Sequence, residues 1–344
     1  MSVKIGVFGH FGFGQTKLNG QTIKTLSVTH MLKKEFGEEN IILKDTSGGI
    51  FKIFRMIKDA CHLQKQCEKK VLLLAQNGIR VLVPVLYILN GLSGKHMHFV
   101  VIGGWLAEFL KKRRTLAKML KCFDGIYAET ESMAKKLSDM GFENVYLMPN
   151  FKPFEEKAST IKKNVSNPVQ LCTFSRVMQE KGIEEAIKGV KLANEHGKLS
   201  YSLTVFGMVE KAFEEKFECL KSEYSDTFSY GGEIAYDKSV QTLLPYDAML
   251  FPTYYEGEGL AGTLIDAFYA AMPVIATDFN CNNSYVLHGE NGFLIQPESA
   301  VAVKDAILDL FEKEDVSVFR AKSLCMAEHF LPEEAVRSLI ENIR

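Results

Sequence analysis

The stretch YYEGEGLAGTLIDAFYAAMPVIATD, residues 254–278, combines a loop, a helix and a strand. Its first part alternates Glu and Gly over residues 256–259 and follows a proline, which predicts a loop. Apolar residues then recur at helical spacing, at Leu264, Ile265, Phe268, Ala271 and Met272. Pro273 ends the predicted helix, and Val274 to Ala276 predicts a short buried strand. Such a loop, helix and strand are one unit of an open α/β sheet.

The residues at the start of this helix predict an anion site. Gly262 and Thr263 lie at the helix N-terminus, where backbone N–H groups lack helical partners and carry the positive end of the dipole. Glu258 and Asp266 are eight residues apart, so both carboxylates can border one cleft. One can accept hydrogen bonds from sugar hydroxyls and the other from ribose hydroxyls, while the amides hold phosphates. This predicts recognition of a sugar nucleotide, with Glu256 as a rival for the first acid.

The segments EGLAGTLIDAF (258–268) and PVIATD (273–278) resemble the acid-x7-acid signature of family 4 glycosyltransferases, which have the GT-B fold. The likeness is greatest to those that build bacterial capsular and cell-wall polysaccharides. It implies that Glu258 holds the donor sugar and Asp266 the ribose. The donor-binding residues would further include Gly259, Leu260, Ala261, Gly262 and Thr263. Asp266 stands where the family usually has Glu, which shortens the side chain by one methylene. The alternative is a surface loop before an ordinary buried helix.

A second motif lies at the end of the strand predicted within Val169 to Val177, where Ser175 and Arg176 end the strand. Arg176 and Lys181 resemble the family's diphosphate-binding pair, and Gly182 precedes a helix predicted to begin near Ile183. Two fixed cations can neutralise the charge of a departing nucleoside diphosphate, so the resemblance implies a retaining transferase that needs no metal. Its catalytic residues would be Glu258, Arg176 and Lys181. Outside this context, an Arg and a Lys around a turn are most often solvated side chains.

The N-terminal segment predicts a strand, a glycine loop and a helix. The strand is Val3 to Phe8, and the glycines that follow have the spacing G-x-x-G-x-G instead of the dinucleotide fingerprint G-x-G-x-x-G, which argues against NAD binding. The sequence NGQTIKT and the later VIGGWL (101–106) are similar to the capsular enzymes. That similarity implies an acceptor side formed by Gly12, Gly14, Asn19, Gly20, Gln21 and Gly104. A tight strand-to-helix connection is the alternative.

The length predicts two domains. A chain of 344 residues with 47% hydrophobic content is long enough for two cores. We expect an α/β fold of the GT-B type with two Rossmann-like domains facing a cleft: residues 1–152, a linker at 153–168, and residues 169–331. The resemblance further implies that the last helix, 332–344, crosses back to the first domain.

Charge is divided unevenly between the halves. Residues 1–152 carry 23 Lys and Arg against 12 Asp and Glu, whereas residues 153–344 carry 18 against 30. A predicted basic helix at 110–121 contributes Lys111, Lys112, Arg113, Arg114, Lys118 and Lys121. An anionic membrane surface is therefore an expected partner, with a solvated helix face as the alternative. The apolar segment 81–92 predicts a buried helix in preference to a contact with an acceptor lipid. No recognition motif for nucleic acid is present, so we expect none as a partner.

These patterns together predict a hexosyltransferase that moves a sugar from a nucleoside-diphosphate sugar, in the first place a UDP-sugar. Its acceptor would be a hydroxyl of a glycan or of a polyprenyl-diphosphate-linked glycan in polysaccharide or cell-envelope synthesis. Seven scattered cysteines without a C-x-x-C pair, and no apolar run of spanning length, predict a cytoplasmic protein at the inner face of the membrane. A sugar-nucleotide epimerase, a non-catalytic sugar-nucleotide-binding protein and a basic nucleic-acid adaptor are the alternatives.

Overall fold

The computed structural model describes residues 3–12, 20–46, 53–91, 94–152, 158, 161–162 and 164–344. The chain divides into two compact units, the first made of residues 1–153 with 330–344 and the second of residues 154–329. Each unit contains one six-stranded parallel sheet. Of the predicted site and linker residues, Gly14, Asn19, Pro153, Glu155, Glu156, Lys157 and Lys163 lie outside the described residues.

The sheet of the first unit has the strand order β2-β1-β3-β4-β5-β6. Its strands are β1 (Ile5–Gly9), β2 (Ile41–Asp45), β3 (Lys69–Leu73), β4 (His96–Val100), β5 (Gly125–Ala128) and β6 (Val145–Leu147). In register, Val7 of β1 lies between Leu43 and Val71 of its two neighbours. Because the order reverses between β1 and β3, the loops at their carboxyl ends diverge and leave a crevice, the usual place of a ligand in an open α/β sheet.

Helices cover both faces of this sheet. The crossover helices are α1 (Gly20–Phe36), α2 (Ile53–Gln66), α3 (Gln76–Asn90), α4 (Leu106–Lys111), α5 (Arg114–Leu120) and α6 (Glu131–Asp139). α2 to α6 bury their apolar faces in one core with Leu72 and Phe99, while α1 packs on the opposite face against Val7 and Val71. Thr130 caps α6 by accepting a hydrogen bond from the Met133 N–H. The strands are therefore shielded from solvent on both sides, as their continuous apolar sequences require.

The second unit has the strand order β12-β11-β10-β7-β8-β9. The strands are β7 (Val169–Phe174), β8 (Tyr201–Phe206), β9 (Phe228–Gly232), β10 (Ala248–Phe251), β11 (Val274–Thr277) and β12 (Gly292–Ile295). The helices are α7 (Ile183–His196), α8 (Glu214–Glu223), α9 (Ser239–Leu243), α10 (Gly262–Tyr269), α11 (Ala300–Glu312) and α12 (Val316–Ala327). Ser299 and Asp315 cap α11 and α12. The order reverses between β7 and β10, so the crevice of this sheet lies where these two strands end.

The last helix, α13 (Pro332–Ile343), belongs to the first unit. Its Leu339 is fully buried in the core that α1 also covers. The amide of Asn342 donates to the Tyr127 hydroxyl at 3.0 Å, which in turn lies 3.1 Å from His98 Nδ1. Burial lowers the pKa of His98 to about 4, so its ring is neutral near neutral pH. The predicted return of the C-terminal helix to the first domain is confirmed.

Two helices differ from their predictions: one ends earlier and the other is broken into two. α10 stops at Tyr269, four residues before Pro273, because Ala271 takes a left-handed φ of 52° and the Met272 N–H bonds back to the Ala267 carbonyl. The basic helix predicted at 110–121 is broken between α4 and α5, where Arg113 has φ −140°. The Arg113 guanidinium lies 4.0 Å from the centre of the Phe109 ring and donates to the Phe109 carbonyl. Within the described residues, no helix is both long and apolar enough to cross a bilayer.

Candidate active site

The loops after β7 and β10 meet at the reversal point of the second sheet. The Tyr254 N–H donates to the Glu180 carbonyl at 2.8 Å, and the Thr253 hydroxyl donates to the same oxygen at 3.2 Å. Gly182, with φ 67°, lies so close that a Cβ there would stand 2.2 Å from the Pro252 carbonyl oxygen. A glycine at 182 is therefore required both by its backbone conformation and by this close approach. The two predicted motifs form one site.

The N-terminus of α10 lies beside this site, next to the carboxyl end of β7. Ala261 occupies the cap position with extended φ and ψ, and no side chain caps the helix. The side chain of Thr263 turns away to donate to the Phe174 carbonyl at the end of β7. This bond fixes the first turn of α10 against the neighbouring strand, while Gly262 and Thr263 remain partly accessible. The helix thus directs its positive end at the crevice, which favours an anion. Leu260 and Ala261 are buried and Gly259 is half-buried.

Lys181 and Glu258 form an ion pair at the centre of the site. Their side chains are only 7% and 15% exposed. The Lys181 ammonium also lies 5.5 Å from the centre of the Phe251 ring and 5.3 Å from that of Tyr255. Burial, followed by the positive charge of Arg176, lowers the pKa of Lys181 to about 7. The ammonium is therefore poorly hydrated, and an incoming anion would stabilise it strongly.

Arg176, the other predicted cation, pairs with a residue that the sequence analysis missed. Its Nη1 lies 2.6 Å from Oε1 of Glu210, and the two side chains are 45% and 31% exposed. Glu210 comes shortly after β8, and its backbone N–H donates to the Val177 carbonyl at 3.0 Å. Nothing in the local sequence marks Glu210, because its partner is 34 residues away and the contact depends on the alignment of β7 with β8. Each cation of the site therefore faces a carboxylate.

Asp266 lies in the second turn of α10 and is only 2% exposed. Its Oδ1 accepts a hydrogen bond of 2.9 Å from the Ser239 hydroxyl at the start of α9. Ser239 was also missed, since it is 27 residues away and carries no motif. Asp266 is thus held against α9, and its contact with a ribose stays a prediction.

The predicted acceptor-side residues of the first unit that are described lie after β1 and β4. Gly12 has φ 64° and follows Phe11, whose N–H donates to Asp45 at 3.1 Å. Gly20 and Gln21 begin α1, and Gly104 is exposed next to Gly103. The Gly103 N–H donates to the buried Glu129 carboxylate at 3.0 Å, and Glu129 lies 3.8 Å from the buried Lys24 ammonium. Gly12 thus follows the carboxyl end of β1 and Gly104 that of β4, and β3 lies between these two strands in the sheet.

Among the residues that the structure describes, no group of three or more His, Cys, Asp or Glu comes together in a way that would hold a metal ion. The cations present at the second-unit site are side chains, Arg176 and Lys181. Positive charge for an anionic ligand is therefore available from the protein itself.

Part of the chain is similar in sequence to known proteins. Residues 154–322 match the family model described as glycosyl transferases group 1. An uncharacterized glycosyltransferase of Methanocaldococcus jannaschii is 25% identical over 174 residues, which are 50% of this chain and 43% of that protein. The GtfA subunit of a Streptococcus pneumoniae UDP-N-acetylglucosamine–peptide N-acetylglucosaminyltransferase is 28% identical over 177 residues, 48% of this chain and 34% of that one. The alignments thus span less than half of either curated relative.

A solved structure resembles the entire chain. HepE from Anabaena, in complex with UDP, superposes with a TM-score of 0.77 and covers 99% of both chains at 15% identity. At this identity the likeness shows the fold alone, and it confirms the GT-B architecture of two Rossmann-like domains that the sequence predicts.

Proposed function

We propose that this chain is a group 1 glycosyltransferase of the GT-B superfamily and that it transfers a sugar from a nucleoside-diphosphate sugar to an acceptor hydroxyl; the match of residues 154–322 to that family model supports the proposal. One observation carries the proposal. At the reversal point of the second sheet, the cations Arg176 and Lys181, the carboxylate of Glu258 and the N-terminus of α10 converge. This is the set of groups that a diphosphate joined to a sugar requires: positive charge for the phosphates and an acceptor for sugar hydroxyls.

The main catalytic effect in this proposal is stabilisation of the leaving group. As the bond from the anomeric carbon to the diphosphate oxygen breaks, the oxygen keeps the electron pair and negative charge builds up on the phosphates. Lys181, Arg176 and the amides of Gly262 and Thr263 would neutralise that charge, so no metal ion is needed. The acceptor hydroxyl oxygen forms the new bond to the anomeric carbon, and its proton passes to the departing diphosphate oxygen. Retention at the anomeric carbon follows from the resemblance to family 4 enzymes.

A UDP-sugar is the donor that we propose. HepE holds UDP in its crystal structure, and the pneumococcal relative is named for UDP-N-acetylglucosamine. Glu258 would bind hydroxyls of a hexose and Asp266 the ribose. For Asp266 to do so, its carboxylate has to share or leave the Ser239 hydroxyl, since that contact occupies one oxygen.

The acceptor that we propose is a glycan, free or linked to a polyprenyl diphosphate, in polysaccharide or cell-envelope synthesis. The support is the resemblance to capsular enzymes and the basic first half of the chain. A headgroup-rich anionic surface at the cytoplasmic face of the membrane would attract that half. Gly12, Gly20, Gln21 and Gly104 are the described residues that we assign to the acceptor side.

A thermal-shift screen with UDP-, GDP- and dTDP-sugars tests the proposal first. We expect UDP-sugars to raise the melting temperature, and incubation with an acceptor glycan to release UDP. Conversion of the donor without an acceptor would favour an epimerase instead. Binding without any turnover would favour a sensor, and indifference to all nucleotide sugars would contradict the proposal.

A further inference from the structure

The ring of Tyr255 lies beside both cations of the site. The centre of the ring is 5.4 Å from the Arg176 guanidinium carbon and 5.3 Å from the Lys181 ammonium nitrogen. Both distances are within the range in which a cation is attracted to the negative face of an aromatic ring. The two cations repel each other, as the effect of Arg176 on the pKa of Lys181 shows. The shared ring offsets part of that repulsion in addition to the carboxylates of Glu210 and Glu258.

The backbone of Tyr255 also determines where Glu258 lies. The Tyr255 carbonyl accepts the Glu258 N–H at 3.0 Å and the Asn280 side-chain amide at 3.2 Å. The Tyr255 N–H donates to the Thr253 hydroxyl at 3.3 Å. The chain between Tyr255 and Glu258 is therefore a tight turn. Hydrogen bonds connect it to Thr253, just after β10, and to Asn280, in the segment after β11.

Gly257 allows this turn to fold onto the ring. A Cβ at position 257 would stand 2.7 Å from Cε1 of Tyr255 and 2.8 Å from its Cζ and hydroxyl oxygen. Real Cβ atoms do not approach other atoms so closely. The Tyr255 ring therefore fills the space that a side chain at position 257 would need. Ring, cations and the carboxylate of Glu258 are thus parts of a single packed arrangement.

We propose that Tyr255 is a positioning residue that holds Arg176 and Lys181 at the spacing a diphosphate needs and links that spacing to the position of Glu258. This inference rests on the proposed function, because it assigns the ligand of the cations as a nucleoside diphosphate. It goes further by naming the residue that sets the spacing of the two cations. The ring acts through its face, so its hydroxyl is dispensable and an aliphatic side chain cannot replace it.

Calorimetric titration of the full chain with UDP and with uridine tests this inference. For Tyr255→Leu we expect UDP affinity to fall about tenfold, which is the size of two partly desolvated cation–π contacts. Uridine affinity should not change, because uridine has no phosphate for the cations to bind. Tyr255→Phe should stay within about twofold of the unchanged protein for both ligands. A structural defect in Tyr255→Leu would instead lower the affinity for UDP and for uridine together, and Tyr255→Phe would not restore it.

Gly257→Ala and Tyr254→Leu complete the experiment. The added methyl group of Gly257→Ala displaces the ring, so it should lower UDP affinity in the same direction as Tyr255→Leu. Tyr254, whose hydroxyl accepts from the Gln179 amide at 3.2 Å, is the matched neighbouring tyrosine, and its replacement should leave the ratio of UDP to uridine affinity unchanged. An unaltered ratio in Tyr255→Leu, or an equal loss in Tyr255→Phe, overturns the inference while the proposed function stands. Absence of UDP binding by the unchanged protein overturns both.

Discussion

The ammonium group of Lys181 and the carboxylate of Glu258 contact each other, although the resemblance assigns them to different parts of the donor. Glu258 therefore has to leave Lys181, or share it, when a diphosphate arrives. Replacing Glu258 by Gln removes the competitor of the phosphates but also removes the acceptor of sugar hydroxyls. We expect Glu258→Gln to bind UDP at least as tightly as the unchanged protein and to lose sugar transfer by about a hundredfold or more.

UDP titration and a transfer assay on the same preparation check this prediction. Glu256→Gln is the matched control, because Glu256 is an exposed carboxylate two residues away in the same loop. Full transfer by Glu258→Gln together with loss in Glu256→Gln would assign the role to Glu256.

The lowered pKa of Lys181 predicts a pH dependence of donor binding. Without ligand, burial and Arg176 hold this pKa at about 7, so the ammonium is half-neutralised near neutral pH. A diphosphate favours the charged form and raises the pKa, so binding takes up a proton above pH 7. UDP affinity should then be highest below pH 7 and fall as the pH rises from 7 to 9, approaching about tenfold per unit. Above the pKa of the complex the dependence should level off.

Calorimetry at pH 8 in two buffers of different ionisation enthalpy measures the proton taken up. Lys181→Met should bind UDP more weakly and show little change between pH 7 and 9. If the unchanged protein has the same affinity at both ends of this range, Lys181 does not bind the phosphates in the manner proposed.

Arg176 and Glu210 form a partly exposed ion pair. We expect substitutions of these two residues to change UDP affinity in opposite directions and by unequal amounts. Arg176→Ala removes a donor to the diphosphate and should weaken UDP binding by about tenfold or more. Arg176→Lys should recover only part of this, since a lysine lacks the planar fork of donors. Glu210→Gln frees Arg176 and should strengthen UDP binding, by no more than about threefold because exposed ion pairs contribute little. Weaker binding in Glu210→Gln would show that Glu210 orients Arg176 instead of competing for it.

The second unit contains a buried charge cluster at the amino ends of β7 and β10. The candidate site lies at the opposite, carboxyl ends of these strands. The Arg320 guanidinium lies 2.6 Å from the fully buried Asp247 carboxylate, which also accepts from Lys162 at 2.8 Å and from the Gln170 N–H at 2.9 Å. Burial acts to raise the pKa of Asp247, but these hydrogen bonds outweigh it and lower the pKa. The stabilisation is therefore present above the ordinary pKa of Asp and is lost as the pH falls through the lowered value.

Arg320→Met should destabilise the second unit by about 3 kcal/mol or more, because it leaves Asp247 buried with fewer partners. Hydrogen exchange of peptides from β7 and β10, compared with those of β1, reports the two units separately. Lys313→Met is the control, since its pair with Asp309 is exposed and contributes little to stability. Equal exchange in Arg320→Met and Lys313→Met would contradict the prediction.

The sequence predicts those parts of the fold and site that depend on nearby residues. Glycines and a proline delimit the loop before α10, so the position of Gly262 and Thr263 at a helix start follows from local patterns. Glu210 and Ser239 escape such reasoning, because their contacts arise only when β8 and α9 pack beside β7 and α10. The break at Arg113 is different, because its partner Phe109 is only four residues away; apolar periodicity does not register a guanidinium that packs on a ring.

Charge reversal of exposed cations in and next to α4 and α5 tests the proposed membrane contact. Lys112, Arg114 and Lys118 are exposed, whereas Lys111 pairs with Glu108 and Arg113 packs on Phe109. The unchanged protein should sediment with anionic liposomes at low salt and be released as salt rises, because the Debye length falls to about 8 Å at 0.15 M. Changing Lys112, Arg114 and Lys118 to Glu should abolish sedimentation. The same change at Lys198, Lys211 and Lys322, exposed lysines of the second unit, alters net charge equally and should leave sedimentation intact. Two outcomes would contradict the prediction: equal binding to neutral and anionic liposomes, or equal loss of sedimentation in both triple variants. Either would show that Lys112, Arg114 and Lys118 do not direct the protein to the membrane.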